Sequence, residues 1–107
     1  MKKPLSDRPV ATALQLIGDN WTIIILSDLL DGTKRFNELK KSLTGITQKV
    51  LTSKLRDMED SGLLTRKIYP EVPPKVEYSL TNLGSSLFPI LENLAAWGDE
   101  YKKAYSN

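Results

Sequence analysis

Apolar and polar positions along the chain recur at two spacings, three-to-four residues and two residues, and the changes of period mark out the elements. Pro9 to Ile17 predicts a first helix, with Pro9 at the first position, where its missing N–H is harmless, and Gly18 stopping it. Asp19 and Asn20 are cap residues for a second helix from Trp21 to about Leu30, ended by Asp31-Gly32. Trp21, Ile24, Ile25 and Leu29 fall at three- and four-residue intervals, which predicts one buried face. The β-branched run from Trp21 to Leu26 also suits a buried strand, although the caps and the length favour helix.

Phe36 and Asn37 open a short third helix carrying Leu39 and Leu43. Thr44-Gly45-Ile46 then reads as a tight turn whose glycine can take a positive φ. Thr47 is the expected cap of a fourth helix. Its buried stripe is Leu51, Leu55 and Met58, and Gln48, Lys49, Thr52, Ser53 and Arg56 lie opposite. Gly62 ends it after Asp57, Glu59 and Asp60.

Beyond Gly62 the period falls to two. Leu64 to Tyr69 and Lys75 to Leu80 read as two strands around Pro70-Glu71-Val72-Pro73-Pro74. The second alternates cleanly, with Val76, Tyr78 and Leu80 on one face and Lys75, Glu77 and Ser79 on the other, and the first less so. Thr81 caps a long C-terminal helix with Leu83, Leu87, Ile90, Leu91, Leu94, Trp97 and Tyr101 at helical spacing. Pro89 inside that pattern predicts a kink, or a break just before it. The expected fold is mainly α with a small antiparallel β-hairpin.

Charge sharpens this picture. Lys34 to Arg56 holds seven basic residues (Lys34, Arg35, Lys40, Lys41, Lys49, Lys54, Arg56) and one acid, Glu38, leaving eight basic and twelve acidic residues elsewhere. The net charge of +2 therefore hides a polarised distribution, the electrostatic footprint of a polyanion binder. Two short helices joined by a glycine-containing turn set the second at a steep angle, so that it can enter a major groove while the first braces the backbone. On the outward face, Gln48 suits paired hydrogen bonds to adenine. Lys49 and Arg56 suit guanine or phosphate, and Thr47, Thr52 and Ser53 suit either donors or acceptors. A proline-tipped ribbon directly afterwards resembles a wing on the backbone or in the minor groove, charged by Arg66, Lys67 and Lys75. Lys34 and Arg35 are natural phosphate contacts. The plainer readings, a solvated basic helix face and an ordinary strand connection, stay open at this point.

With 107 residues and 40% hydrophobic content, the chain fits one domain, with a core over about residues 9–84. No apolar run approaches the roughly 20 residues needed to span a bilayer, and the expected location is cytoplasmic with no membrane partner. There is no cysteine, which excludes disulfides and thiol chemistry, and no histidine, which removes the commonest metal ligand and general base. No cofactor, no metal and no enzymatic activity are expected; Asp57 and Asp60 read as acids solvating a helix end.

The segments IGDNWTIIILSDLLDGTKRFNELKKSLTGITQKVLTSKLRDMEDSGLLTR and YPEVPPKVEYSLTNLG, followed by Trp97-Gly98, carry a resemblance that covers about residues 9 to 101. The chain resembles the HxlR-type family of bacterial winged helix–turn–helix transcriptional regulators. The resemblance implies a homodimer binding double-stranded DNA at roughly palindromic operators. Many such proteins carry a cysteine immediately before the proline that opens the first helix; that position is Arg8 here, so thiol-based sensing does not transfer. A basic residue common in the family is Asn20 here, and a glutamate after the last helix cap is Asn82.

Homodimerisation also has support in the apolar pattern. A winged-helix core leaves Val10, Leu14 and Ile17 of the first helix without an obvious partner. The same is true of Leu87, Leu91, Leu94, Trp97, Tyr101 and Tyr105 in the C-terminal helix (about residues 82–105), and a two-fold interface would cover them all. Folding of the last helix back over its own domain is the alternative. A small-molecule effector is expected, if one exists, near Trp21 and Trp97. The second functional reading is a winged-helix interaction module binding an acidic protein or RNA.

Overall fold

The computed structural model describes residues 4–105. Helix α1 (Pro9–Ile17) leads through Gly18 into α2 (Asn20–Leu30), where the Asp19 carboxylate accepts the Thr22 N–H at 3.1 Å. This cap starts α2 one residue earlier than expected. The buried face of α2 is Thr22, Ile25, Leu26 and Leu29; Trp21 is half-buried and Ile24 is 43% exposed. The expected stripe is thus displaced by a residue, because apolar side chains stand on every side of this helix and their periodicity singles out no face.

A two-residue strand β1 (Lys34–Arg35) precedes α3 (Phe36–Ser42), which leads through a turn to α4 (Gln48–Asp60). Gly45 in that turn has φ +91°, which side-chain-bearing residues rarely adopt. Thr47 caps α4, its Oγ1 accepting the Val50 N–H at 3.1 Å. At the far end Gly62, φ +80°, lets the Leu63 N–H reach the Met58 carbonyl at 2.9 Å and turns the chain into β2 (Leu64–Tyr69). Strand β3 (Lys75–Leu80) returns antiparallel with Leu64 opposite Leu80 and Tyr69 opposite Lys75. The expected hairpin is present, but the sheet has three strands in the order β1-β3-β2, Lys34 pairing with Tyr78 and Arg35 with Glu77. Two charged residues carry no periodic signal, so this edge strand is absent from the sequence reading.

Thr81 caps only the four-residue α5 (Asn82–Ser85), and α6 (Phe88–Tyr105) follows after Ser86-Leu87. The expected break before Pro89 is there, and the proline occupies the second position of α6, where no N–H is required. Gly84 is buried against the carbonyl oxygen of Leu63, and a Cβ would collide with it. That same oxygen accepts the Thr81 N–H at 3.0 Å, so α5 is tied to the start of the ribbon.

The core gathers Ile25, Leu26, Leu39, Leu43, Leu51, Leu55, Met58 and Leu64, with Tyr78 closing it from the sheet. Ile17, expected at a partner-facing surface, is instead 6% exposed within this core. It is the last residue of α1, where the chain turns to α2 and points it inward. Leu87 and Leu91 are half-buried and pack on the core as well. The rest of α6 carries no buried residue. No single helix among the described residues is long and apolar enough to cross a membrane.

Candidate nucleic-acid interface

The stripe Leu51, Leu55 and Met58 holds α4 to the core and so dictates what its other side presents. Gln48, Lys49, Ser53 and Arg56 are exposed, as is Thr47 at the cap, and Thr52 is half-buried. With Asp57 and Asp60, these α4 residues share one open face of the helix. A row of amide, hydroxyl and cationic groups on the convex side of a rigid helix can form hydrogen bonds to base edges and ion pairs to phosphates.

Several of the expected cations already have partners within the chain. Lys54 Nζ lies 3.2 Å from Asp19 Oδ1, linking α4 to the cap of α2. Arg66 Nε lies 3.4 Å from Glu59 Oε1, linking β2 to α4. Lys75 Nζ is 3.9 Å from Glu71 and 4.0 Å from Glu77, and 4.2 Å from the Tyr69 ring centre. Among the described residues, Lys34, Arg35, Lys49, Arg56 and Lys67 form no ion pair. Lys67 instead sits 4.9 Å from the Tyr69 ring centre. Lys34 and Arg35 are on the edge strand, and the Arg35 N–H donates to Glu38 Oε1 at 2.8 Å, setting the start of α3. None of the acids that engage these cations carries a pairing signal in the sequence, where Asp19 reads as a helix cap and Glu59 as part of the acidic end of the fourth helix. The strand register sets Lys67 opposite Glu77 and Tyr69 opposite Lys75, yet Glu77 engages Lys75 of its own strand, Glu71 reaches Lys75 from the loop, and Glu59 reaches Arg66 from α4.

Burial pushes the Asp19 carboxyl upward, but the Thr22 N–H, the Lys54 ammonium and the Trp21 N–H outweigh it and hold the group below its ordinary value of 3.8. A depressed folded-state value stabilises fully above 3.8, and the contribution fades as pH falls through that lower value. Asp19→Asn should therefore be less stable than wild type at neutral pH, with the gap narrowing under acid. Chemical denaturation across a pH series checks this, and a gap constant down to the acid limit would contradict it. Burial also raises the Tyr78 hydroxyl, with Arg66 and Arg56 drawing it down and Glu59 raising it, which places those three charges around one point of the sheet.

Of the residues expected at a partner surface, Val10, Leu14, Leu94, Trp97 and Tyr101 are exposed, with Trp97 at 68%. Trp97 and Tyr101 stack at 5.6 Å between ring centres, and Tyr101 and Tyr105 lie tilted at 5.1 Å, so the aromatics form one ladder on α6. Trp21, expected with Trp97 at an effector pocket, packs on the core. A second cleft of about 570 Å³ is lined by Leu5, Leu16, Asp19, Lys54 and Met58 among others, and by neither tryptophan.

The sequence profile of HxlR-like helix-turn-helix proteins matches residues 16–106. The chain is 49% identical over 94 residues to the uncharacterized HTH-type transcriptional regulator YdeP of Bacillus subtilis, covering 88% of this chain and 73% of that protein. It is 46% identical over 98 residues to an HTH-type transcriptional regulator of Methanothermobacter thermautotrophicus, covering 92% and 75%. Among solved structures, the redox regulator HypR in its reduced form is similar with a TM-score of 0.86 and 42% identity, over 91% of this chain and 96% of that one. The chain belongs to the HxlR-like helix-turn-helix family, whose members are DNA-binding transcriptional regulators and not enzymes.

Proposed function

We propose that the protein controls transcription as a homodimer on a roughly palindromic operator. In this reading α4 lies in the major groove and the β2–β3 wing on the adjacent backbone or minor groove. The observation that carries it is the face of α4 opposite Leu51 and Leu55, where Gln48, Lys49, Ser53 and Arg56 stand exposed on a helix whose other side is fixed in the core. Gln48, Thr52 and Ser53 read base edges, Lys49 and Arg56 reach guanine or phosphate, and Lys34 and Arg35 hold the backbone beside α3. Two copies related by a two-fold place their recognition helices about one helical turn apart, roughly 34–36 Å, on the two half-sites. The Trp97–Tyr101–Tyr105 ladder and the exposed Val10 and Leu14 supply the apolar surface for that contact.

Lys49→Ala and Arg56→Ala are each expected to weaken binding. For Arg56→Ala the slope of log affinity against log salt should fall by about 0.9, one phosphate's worth. Fluorescence anisotropy over a salt series, on a duplex that the wild-type protein selects from a random pool, makes the measurement. Unchanged affinity and slope in both variants would refute the assignment. In competition, a preference for RNA or an acidic peptide over duplex would favour the interaction-module reading instead.

A further inference from the structure

We propose that Arg66 and Lys75 are positioning residues that fix the wing relative to the recognition helix, leaving Lys67 as the wing cation that meets phosphate. Both roles presuppose the DNA-bound arrangement above. By count the ribbon offers three equivalent cations, but their surroundings differ. Arg66 leaves β2 on the same face as the buried Leu64, and its guanidinium meets Glu59 in the last turns of α4, Nε to Oε1 at 3.4 Å. That ion pair, with side chains 46% and 36% exposed, crosses from wing to recognition helix and adds to the core packing that sets the angle between them.

Lys75 lies on the opposite face at the base of the wing loop, with its side chain 23% exposed. Its ammonium is surrounded by Glu71 Oε2 at 3.9 Å, Glu77 Oε2 at 4.0 Å and the Tyr69 ring at 4.2 Å. The Tyr69 hydroxyl donates to Glu77 Oε1 at 2.9 Å, so ring, carboxylates and ammonium form one closed cluster bridging the two strands where the loop begins. A cation held by a ring face and two carboxylates has little left to offer a phosphate, and pulling it out would strip three partners at once. Lys67 touches the same ring more loosely, at 4.9 Å, and among the described residues it has no carboxylate partner. Its four-carbon stem can swing outward without breaking an ion pair.

The two roles predict opposite signs for one substitution. If Arg66 contacted phosphate, Glu59→Gln would free it and remove a repelling charge, and affinity would rise. If Arg66 positions the wing, Glu59→Gln loosens the wing and affinity falls, because the ordering lost in the free protein must be recovered on binding. Anisotropy on the same selected duplex, over a salt series, should show Lys67→Ala lowering the salt slope by about 0.9. Glu59→Gln, Arg66→Ala and Lys75→Ala should each weaken binding about three- to tenfold with the slope unchanged. Lys75→Arg, which keeps the charge and the ring contact, should restore most of the affinity lost in Lys75→Ala.

A second measurement needs no DNA: amide exchange in Lys75→Ala should quicken from Tyr69 to Lys75 and stay at the wild-type rate in α4. A slope reduced by about 0.9 in Arg66→Ala or Lys75→Ala, tighter binding by Glu59→Gln, or unchanged exchange in the loop would overturn the assignment. These results would leave the DNA-binding reading intact. A wild-type protein that selects no duplex would bring down both.

Discussion

Leu51→Ala is expected to cost about 3 kcal/mol of folding stability, within the range of about 2–5 kcal/mol for truncating a fully buried leucine. Leu51 is 0% exposed and sits midway between the cap at Thr47 and the lower stripe residues Leu55 and Met58, each 2% exposed. Its loss removes apolar contact and leaves a hole that α4 can fill only by rotating or sliding toward the core. Either movement would re-aim Gln48, Lys49, Ser53 and Arg56, so a change in DNA affinity should accompany the change in stability even at temperatures where the variant stays folded. Against a total of about 5–15 kcal/mol for a domain of this kind, the loss is a large fraction. Urea denaturation followed by far-ultraviolet circular dichroism gives the number. A shift below about 0.5 kcal/mol, the usual size for a surface substitution, would mean that the inner stripe does not hold the helix and would undercut the assignment of its outer face.

How much of this architecture can be read from the chain follows from how local each cause is. The caps Asp19 and Thr47 act over three residues and place the starts of α2 and α4 to within a residue, whereas Thr81 caps only α5 and the long helix begins at Phe88. The limits of β2 and β3 also follow from alternation and from the prolines between them. Causes that operate across the fold are hidden. Strand β1 exists only because β3 presents a free edge to Lys34 and Arg35, and the adjacent Thr33 and Ser79 hydroxyls meet at 2.6 Å over a separation of 46 residues. The inward face of α2 is chosen by its neighbours, since the helix itself is apolar nearly all round. Gly84 owes its place to the Leu63 carbonyl, a contact that no local pattern announces. Charge counting has the same limit. It weighs Lys54 equally with Lys49, although Lys54 is spent on Asp19, an acid outside the basic segment. In the proposed DNA complex the basic segment marks the side that faces the duplex, and the ion pairs within the chain distinguish Lys54 and Arg66, which have carboxylate partners, from Lys49 and Arg56, which have none among the described residues.

Trp97→Asp should separate assembly from folding, because in a single chain the indole is 68% exposed and α6 contains no buried residue. Removing it costs one subunit little beyond its stacking on Tyr101 at 5.6 Å. In the proposed dimer the same substitution acts twice across the two-fold, replacing an aromatic anchor with a charge that must be desolvated in each copy. Truncating a central aromatic at an interface typically costs at least about 2 kcal/mol, so a symmetric pair loses about 4 kcal/mol, close to a thousandfold in the dimerisation constant. Affinity for a two-half-site duplex should fall with it by about a hundredfold or more, since the second recognition helix no longer arrives at high effective concentration. Binding to an isolated half-site should stay near its wild-type value. Sedimentation velocity on the free protein, paired with anisotropy on whole and half sites, reads both quantities from one preparation. A wild-type protein that sediments as a monomer while holding the full site tightly would rule out the dimer. A Trp97→Asp variant that keeps wild-type mass and affinity would show instead that the aromatic ladder of α6 faces something other than a second copy.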